Sequence, residues 1–229
     1  MRSVTKLSMS VVAVAALLSG CKPSTTPVSA PAPAAGPSQP GPMSGADAQK
    51  MLATLVIKGS APMSGYSRDQ FGQAWTDDND APGGHNKCDT RDDILRRDLS
   101  DIQPVTGCQV QSGTLHDAYT GKTIAFARGP KSTVVQIDHM VPLGDAWQSG
   151  AQQLPPDKRI DLANDPRNLQ AVDGPTNESK GDSDAATWLP PQAGYRCTYV
   201  ERQIQVKSIY GLWVTQAEHD AMAGVLQGC

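Results

Sequence analysis

Gln136-Ile137-Asp138-His139-Met140-Val141-Pro142-Leu143 closes a β-branched run that begins at Ser132 and ends in a carboxylate beside an imidazole. Ser132–Asp138 reads as a strand, and Pro142 stops it. Asn168-Leu169 lies 29 residues after His139 and opens a second short apolar run reaching Val172. Asn177 comes 9 residues later, on the first turn of a helix that Pro175 can begin. If the two strands pair and the helix packs across them, Asp138, His139 and Asn177 converge at one end of the unit. A carboxylate and an amide oxygen are hard ligands suited to Mg²⁺, with Mn²⁺ and Ca²⁺ as alternatives. An imidazole beside such an ion, rather than on it, is free to act as a general base.

Outward from this unit the chain alternates between helix and strand signals. Ser44 caps an apolar set at Met51, Leu52, Leu55 and Val56, predicting about three helical turns. Thr90 reads as the cap of a short helix carrying Ile94, Leu95 and Leu99. Cys108–His116 and Lys122–Arg128 flank Tyr119-Thr120-Gly121 and predict a hairpin. Helices are expected at Gly144–Gln153, Asp157–Ala163 and Arg196–Tyr210, and Thr215-x-x-Glu218 reads as a capping box for a last one.

The composition excludes whole classes of function. The formal charge of −3 rules out a histone-like binder, and no long apolar run follows the first twenty residues, which rules out a multi-pass membrane protein. Over residues 47–121, 7 Lys/Arg face 11 Asp/Glu, whereas 10 face 10 over 122–207, so the later half is the better place for an anionic substrate. Arg2, Lys6, the apolar Val11–Leu18 and the ending Leu18-Ser19-Gly20-Cys21 read as an export signal. That ending resembles a bacterial lipobox, which implies lipidation of Cys21 and anchoring to the cell envelope without a membrane span. Residues 23–46 hold seven prolines and no charge, the signature of an extended tether. The other cysteines, Cys88, Cys108, Cys197 and Cys229, suit two disulfides in an exported domain. Of three connectivities, Cys88–Cys108 and Cys197–Cys229 each bracket a local unit; a zinc site is the rival, without Cys-x-x-Cys spacing to support it.

Asp138-His139-x-Val141-Pro142 and the Asn168-x₈-Asn177 spacing resemble the HNH (ββα-metal) nucleases, including the HNH domain of CRISPR effectors. The wider frame is closer to exported bacterial HNH proteins related to the C-terminal domain of GmrSD-type restriction enzymes. That frame comprises Cys88-Asp89-Thr90-Arg91, Tyr119-Thr120-Gly121-Lys122, Ala146-Trp147, Val172-Asp173-Gly174-Pro175, and Gly181-Asp182 leading to Trp188-Leu189-Pro190. The resemblance implies an α+β fold: a ββα-metal core at about residues 132–185, an added N-terminal hairpin and surrounding helices, stapled by disulfides. The expected organisation is a signal peptide over 1–21, a tether over 22–46 and a nuclease domain over 47–229.

The resemblance also implies roles. His139 would take the proton of the attacking water, Asp138 and Asn177 would ligate one divalent metal, and Asn168 would fix the loop that orients the imidazole. Lys180, one turn beyond Asn177, is a candidate substrate contact. The substrate would be nucleic acid, DNA before RNA, cut without sequence preference outside the cytoplasm, with no obligate protein partner evident. A non-catalytic envelope lipoprotein keeping the fold is the alternative. Asp78 and Asp80 have the spacing of a calcium loop, but Pro82 and the lack of a closing glutamate oppose it. Trp75, Trp147, Trp188 and Trp213 read as core or hinge residues, and His85, His116 and His219 have no evident partners.

Overall fold

The computed structural model describes residue 41 and residues 43–229, so the expected signal peptide, Cys21 and most of the tether lie outside the described residues. Within them the protein is a mixed α+β fold holding two disulfides. The first helix, α1 (Gly45–Leu52), is capped as expected by the Ser44 hydroxyl, which accepts the Asp47 N–H, but it stops at Leu52 and leaves Val56 exposed. The second, α2 (Thr90–Asp98), takes its cap from the Asp89 carboxylate rather than from Thr90.

A three-stranded antiparallel sheet follows, ordered β1 (Leu99–Thr106), β2 (Gln109–His116), β3 (Thr123–Ala127). The β2–β3 hairpin is the one read from the sequence. β1 was not foreseen, because Leu99 continues the helical spacing and the strand lacks regular alternation. Its register slips between Ser100 and Gln103, and Asp101 has φ of 52°.

The second sheet has two antiparallel strands, β4 (Val135–His139) and β5 (Leu169–Asp173), with Val135 opposite Asp173 and His139 opposite Leu169. Ser132–Val134, expected to be strand, form a 3₁₀ turn instead. Between them, α3 (Leu143–Gln148) ends short of Gln153, broken where Gly150 adopts φ of 127°. α4 (Pro156–Asn164) returns the chain to β5. Directly after β5, α5 (Gly174–Lys180) is capped by Asp173, whose carboxylate accepts the Thr176 N–H at 3.0 Å. Position 174 must be glycine, since a Cβ there would sit 2.2 Å from the Thr133 carbonyl oxygen.

α6 (Arg196–Ile209) and α7 (Gln216–Leu226) complete the fold. The Thr215 hydroxyl caps α7, but Glu218 does not close the capping box; it turns inward to Lys207. Among the described residues no helix is long and apolar enough to cross a membrane.

Strand alternation assigns the two faces of the β4–β5 pair. Val135, Ile137, Leu169 and Ala171 join Ile94, Leu95, Leu99 and Phe126 in a core between the two sheets and α2. The opposite face meets a core of Met140, Val172, Tyr199, Val200 and Ile204, closed by α1, α6 and α7. Each fully buried Leu or Ile here contributes about 1.5–3 kcal/mol, which fixes the register that aims the polar residues. The disulfides pair Cys88 with Cys108 and Cys197 with Cys229, with Cα separations of 5.4 and 5.8 Å, the connectivity expected from the sequence. The second ties the start of α6 to the chain end beyond α7.

Candidate active site

Among the described residues β4 pairs only with β5. Residues 136–139 of β4 line a cavity of about 270 Å³ whose lining includes Asp138, His139 and Asn177, the three residues the sequence brought forward together. Asp138 and His139 are consecutive on a strand, so their side chains leave opposite faces and share the cavity only at the strand end.

His139 is 6 % exposed. Its Nε2 lies 3.0 Å from the Ala163 carbonyl oxygen, at the C-terminus of α4. A carbonyl can only accept, so Nε2 carries the proton and Nδ1 keeps its lone pair. The bond also satisfies one of the carbonyls a helix leaves unpaired at its C-terminus. Among the described residues Nδ1 has no hydrogen-bond partner. Burial pushes the imidazole down to about 3; the Ala163 bond opposes this, and the charges of Arg68 and Lys180 add to it. The ring is therefore neutral through the physiological range. A second, smaller cavity of about 80 Å³ also has the ring in its lining, with Trp75, Phe71 and Asn164.

Asn168 is fully buried and fastens the chain just past His139. Its Oδ1 accepts the Val141 N–H at 2.8 Å, and its Nδ2 donates to the carbonyls of Leu162, at 3.1 Å, and Val141, at 3.4 Å. One side chain thus joins the loop after β4 to the helix end that holds Nε2.

Asp138 accepts the Tyr119 hydroxyl on Oδ2 and the Lys180 ammonium on both oxygens, at 2.8 and 2.7 Å. Lys180 gives a further bond to the His139 carbonyl, at 2.6 Å, and its side chain is fully buried. Sequence reasoning placed Lys180 at the substrate. The structure turns it inward instead, because the buried carboxylate and carbonyl consume its donors. Burial pulls its pKa down against the opposing pull of Asp138. Asn177 donates from Nδ2 to Gln136 Oε1 at 2.8 Å, and Gln136 donates in turn to Glu178 at 2.8 Å. Among the described residues no donor reaches the Asn177 amide oxygen.

The fit of these residues to a divalent metal follows from their lone pairs. A carboxylate has about four acceptor sites, and three at Asp138 are taken, leaving one on Oδ1. With the free oxygen of Asn177 and the carboxylates of Glu178 and Asp182 in the same lining, the donor set is all oxygen, which fits a hard ion such as Mg²⁺. Such an ion would share Asp138 with an ammonium. Among the described residues no group of three or more His, Cys, Asp and Glu side chains is placed to hold a metal.

Several residues were missed. Tyr119 lies in a turn, where a solvated ring is the default, yet Asp117 accepts the Thr120 N–H and so folds that turn with Tyr119 fully buried. Trp75, read as core or hinge, stacks on His139 with ring centroids 5.9 Å apart and planes 13° from parallel. Its φ of 59° is costly for a bulky residue, and only the positive-φ pattern, invisible in sequence, marks it. Arg68 lines both cavities and no motif announced it.

The other candidates are not drawn in. Asp77, beside Asp78 and Asp80, caps the Asn86 and Lys87 amides, while His85 stands 3.2 Å from Asp80 at the exposed surface. His116 and His219 pair locally with Thr123 and Asp220.

Residues 89–225 match the model of the GmrSD restriction endonuclease C-terminal domain. The chain is also similar to a protein of Arthroderma benhamiae with the name "Uncharacterized secreted protein": 38% identical over 199 residues, covering 86% of this chain and 92% of that one. No solved structure matches.

Proposed function

The chain belongs to the family of GmrSD restriction endonuclease C-terminal domains, and on that footing we propose that it is a metal-dependent HNH endonuclease that hydrolyses phosphodiester bonds of nucleic acid, DNA before RNA. In this reading β4, β5 and α5 are the ββα core. The observation that carries it is the state of His139: neutral, its Nε2 committed to Ala163, and its ring in the lining of the cavity that Asp138 and Asn177 also line.

The reaction follows from that state. A water oxygen attacks phosphorus, its proton passes to His139 Nδ1, and the bond from phosphorus to the 3′-oxygen breaks, the 3′-oxygen leaving with the bonding pair and taking a proton from solvent water to become a 3′-hydroxyl. A phosphodiester entering the cavity brings negative charge, which raises the imidazole's affinity for the proton as the transition state forms. Asn168 keeps the ring from swinging away from the line of attack. Asp138 and Asn177 would hold the divalent ion, which when bound supplies charge neutralisation at the scissile phosphate. Lys180 acts from below, fixing the carboxylate and the strand end. We further propose that the protein is exported, in keeping with its two disulfides and the secreted relative, and lipid-anchored through Cys21.

A second reading, a fold retained without catalysis, has one observation in its favour: the ammonium of Lys180 already neutralises Asp138. A supercoiled-plasmid assay separates the two. Nicking with Mg²⁺ that EDTA abolishes supports the nuclease; no nicking with Mg²⁺, Mn²⁺ or Ca²⁺ supports the second reading.

A further inference from the structure

The cavity beside His139 is lined by the carboxylates Asp138, Glu178 and Asp182 and by a single cationic side chain, Arg68. A polyanion meeting such a lining is repelled unless a cation receives it. Arg68 also lines the smaller cavity, and His139 and Leu143 are the other residues common to both linings, so Arg68 stands where the two cavities meet beside the imidazole. It is exposed, and its guanidinium makes no hydrogen bond or ion pair among the described residues.

The backbone that carries it is held firmly. Arg68 opens a 3₁₀ turn, Arg68–Phe71, whose Phe71 is 2 % exposed and packs on Trp147. Arg159 donates to the Gln70 carbonyl at 2.7 Å. Gly72 closes the turn at φ of 79°, where a Cβ would lie 2.7 Å from Ile160. A fixed base with an uncommitted guanidinium is the arrangement of a ligand-binding arginine: little backbone order is lost on binding, and the planar fork matches two phosphate oxygens.

We propose that Arg68 binds the non-bridging oxygens of a substrate phosphodiester at the rim of the His139 cavity. This rests on the nuclease reading, and the test keeps the two apart.

The experiment measures binding of a short fluorescent DNA duplex by anisotropy in EDTA, where turnover is blocked, over a salt series. Wild type, Arg68→Ala and Arg68→Lys are compared, with circular dichroism confirming the fold, and wild type is assayed for plasmid nicking in Mg²⁺. Arg68→Ala is expected to weaken binding about 5- to 30-fold and to lower the slope of log affinity against log salt by about 1. Arg68→Lys should keep the slope and recover part of the affinity, having lost the fork but not the charge. A folded Arg68→Ala protein that binds duplex with wild-type affinity and slope overturns the assignment while leaving the nuclease reading intact, provided wild type nicks. Wild type that neither binds nor nicks takes both down.

Discussion

Replacing Asn168 by alanine probes the joint on which His139 depends. The side chain makes three hydrogen bonds in a fully buried position: Oδ1 with the Val141 N–H, and Nδ2 with the carbonyls of Leu162 and Val141. Alanine leaves the Val141 N–H and the Leu162 carbonyl without partners. Each such group costs about 1–3 kcal/mol, so the domain should lose about 2–6 kcal/mol. For a chain of this size that lowers Tm by roughly 4–24 °C, against a total stability of about 5–15 kcal/mol. Turnover should fall by about tenfold or more at 25 °C, because the loop after β4 and the α4 end that holds Nε2 no longer move as one. Asn168→Asp keeps the Val141 acceptor but turns a carboxylate toward two carbonyls, so it should be worse than alanine in both measurements. Thermal unfolding followed by circular dichroism, with nicking rates on the same samples, gives both numbers. A loss under about 1 kcal/mol with unchanged turnover would refute the reasoning.

Three further substitutions test neighbouring claims. Lys180→Met strands a buried carboxylate and should destabilise by about 3–5 kcal/mol in urea unfolding; a stable protein with only weakened DNA binding would restore Lys180 to the substrate. Trp75→Ala removes the stack on His139 and should lower kcat about tenfold without changing duplex affinity; a pure affinity loss would make the tryptophan a base platform instead. Burial raises Glu218 from 4.5 to about 7 despite Lys207, and Asp145 beside it is raised too. The folded protein therefore holds that proton more tightly than the unfolded chain. The stability this adds is complete below pH 4.5 and disappears as pH climbs through 7, on the order of 3 kcal/mol. Glu218→Gln should flatten that slope, and a slope unchanged in denaturant titrations from pH 5 to about 8 would remove Glu218 as its source.

The second sheet was legible because its signals are local and agree: a β-branched run, a proline stop, a returning apolar run and a helix opened by Pro175. The same locality gave the β2–β3 hairpin and both disulfides. β1 escaped because a register slip and a residue at positive φ erase the alternation that announces a strand. At the site, His139 and Asn168 were placed by spacing, which fixes residues that share a strand or its connecting loop. What spacing cannot show is which buried group claims which. Lys180 reads as a solvated lysine until Asp138 is seen across from it, and Tyr119 reads as a turn residue. Arg68 and Trp75 lie about seventy residues before His139 and reach it only through the packing of Phe71 and α4.

The most direct test compares His139→Ala with wild type on supercoiled plasmid in Mg²⁺, with duplex binding measured on both. Loss of nicking by at least about a hundredfold, with binding retained, is the result that a neutral imidazole accepting the water proton demands. Cleavage by the alanine protein at a rate near wild type would contradict it.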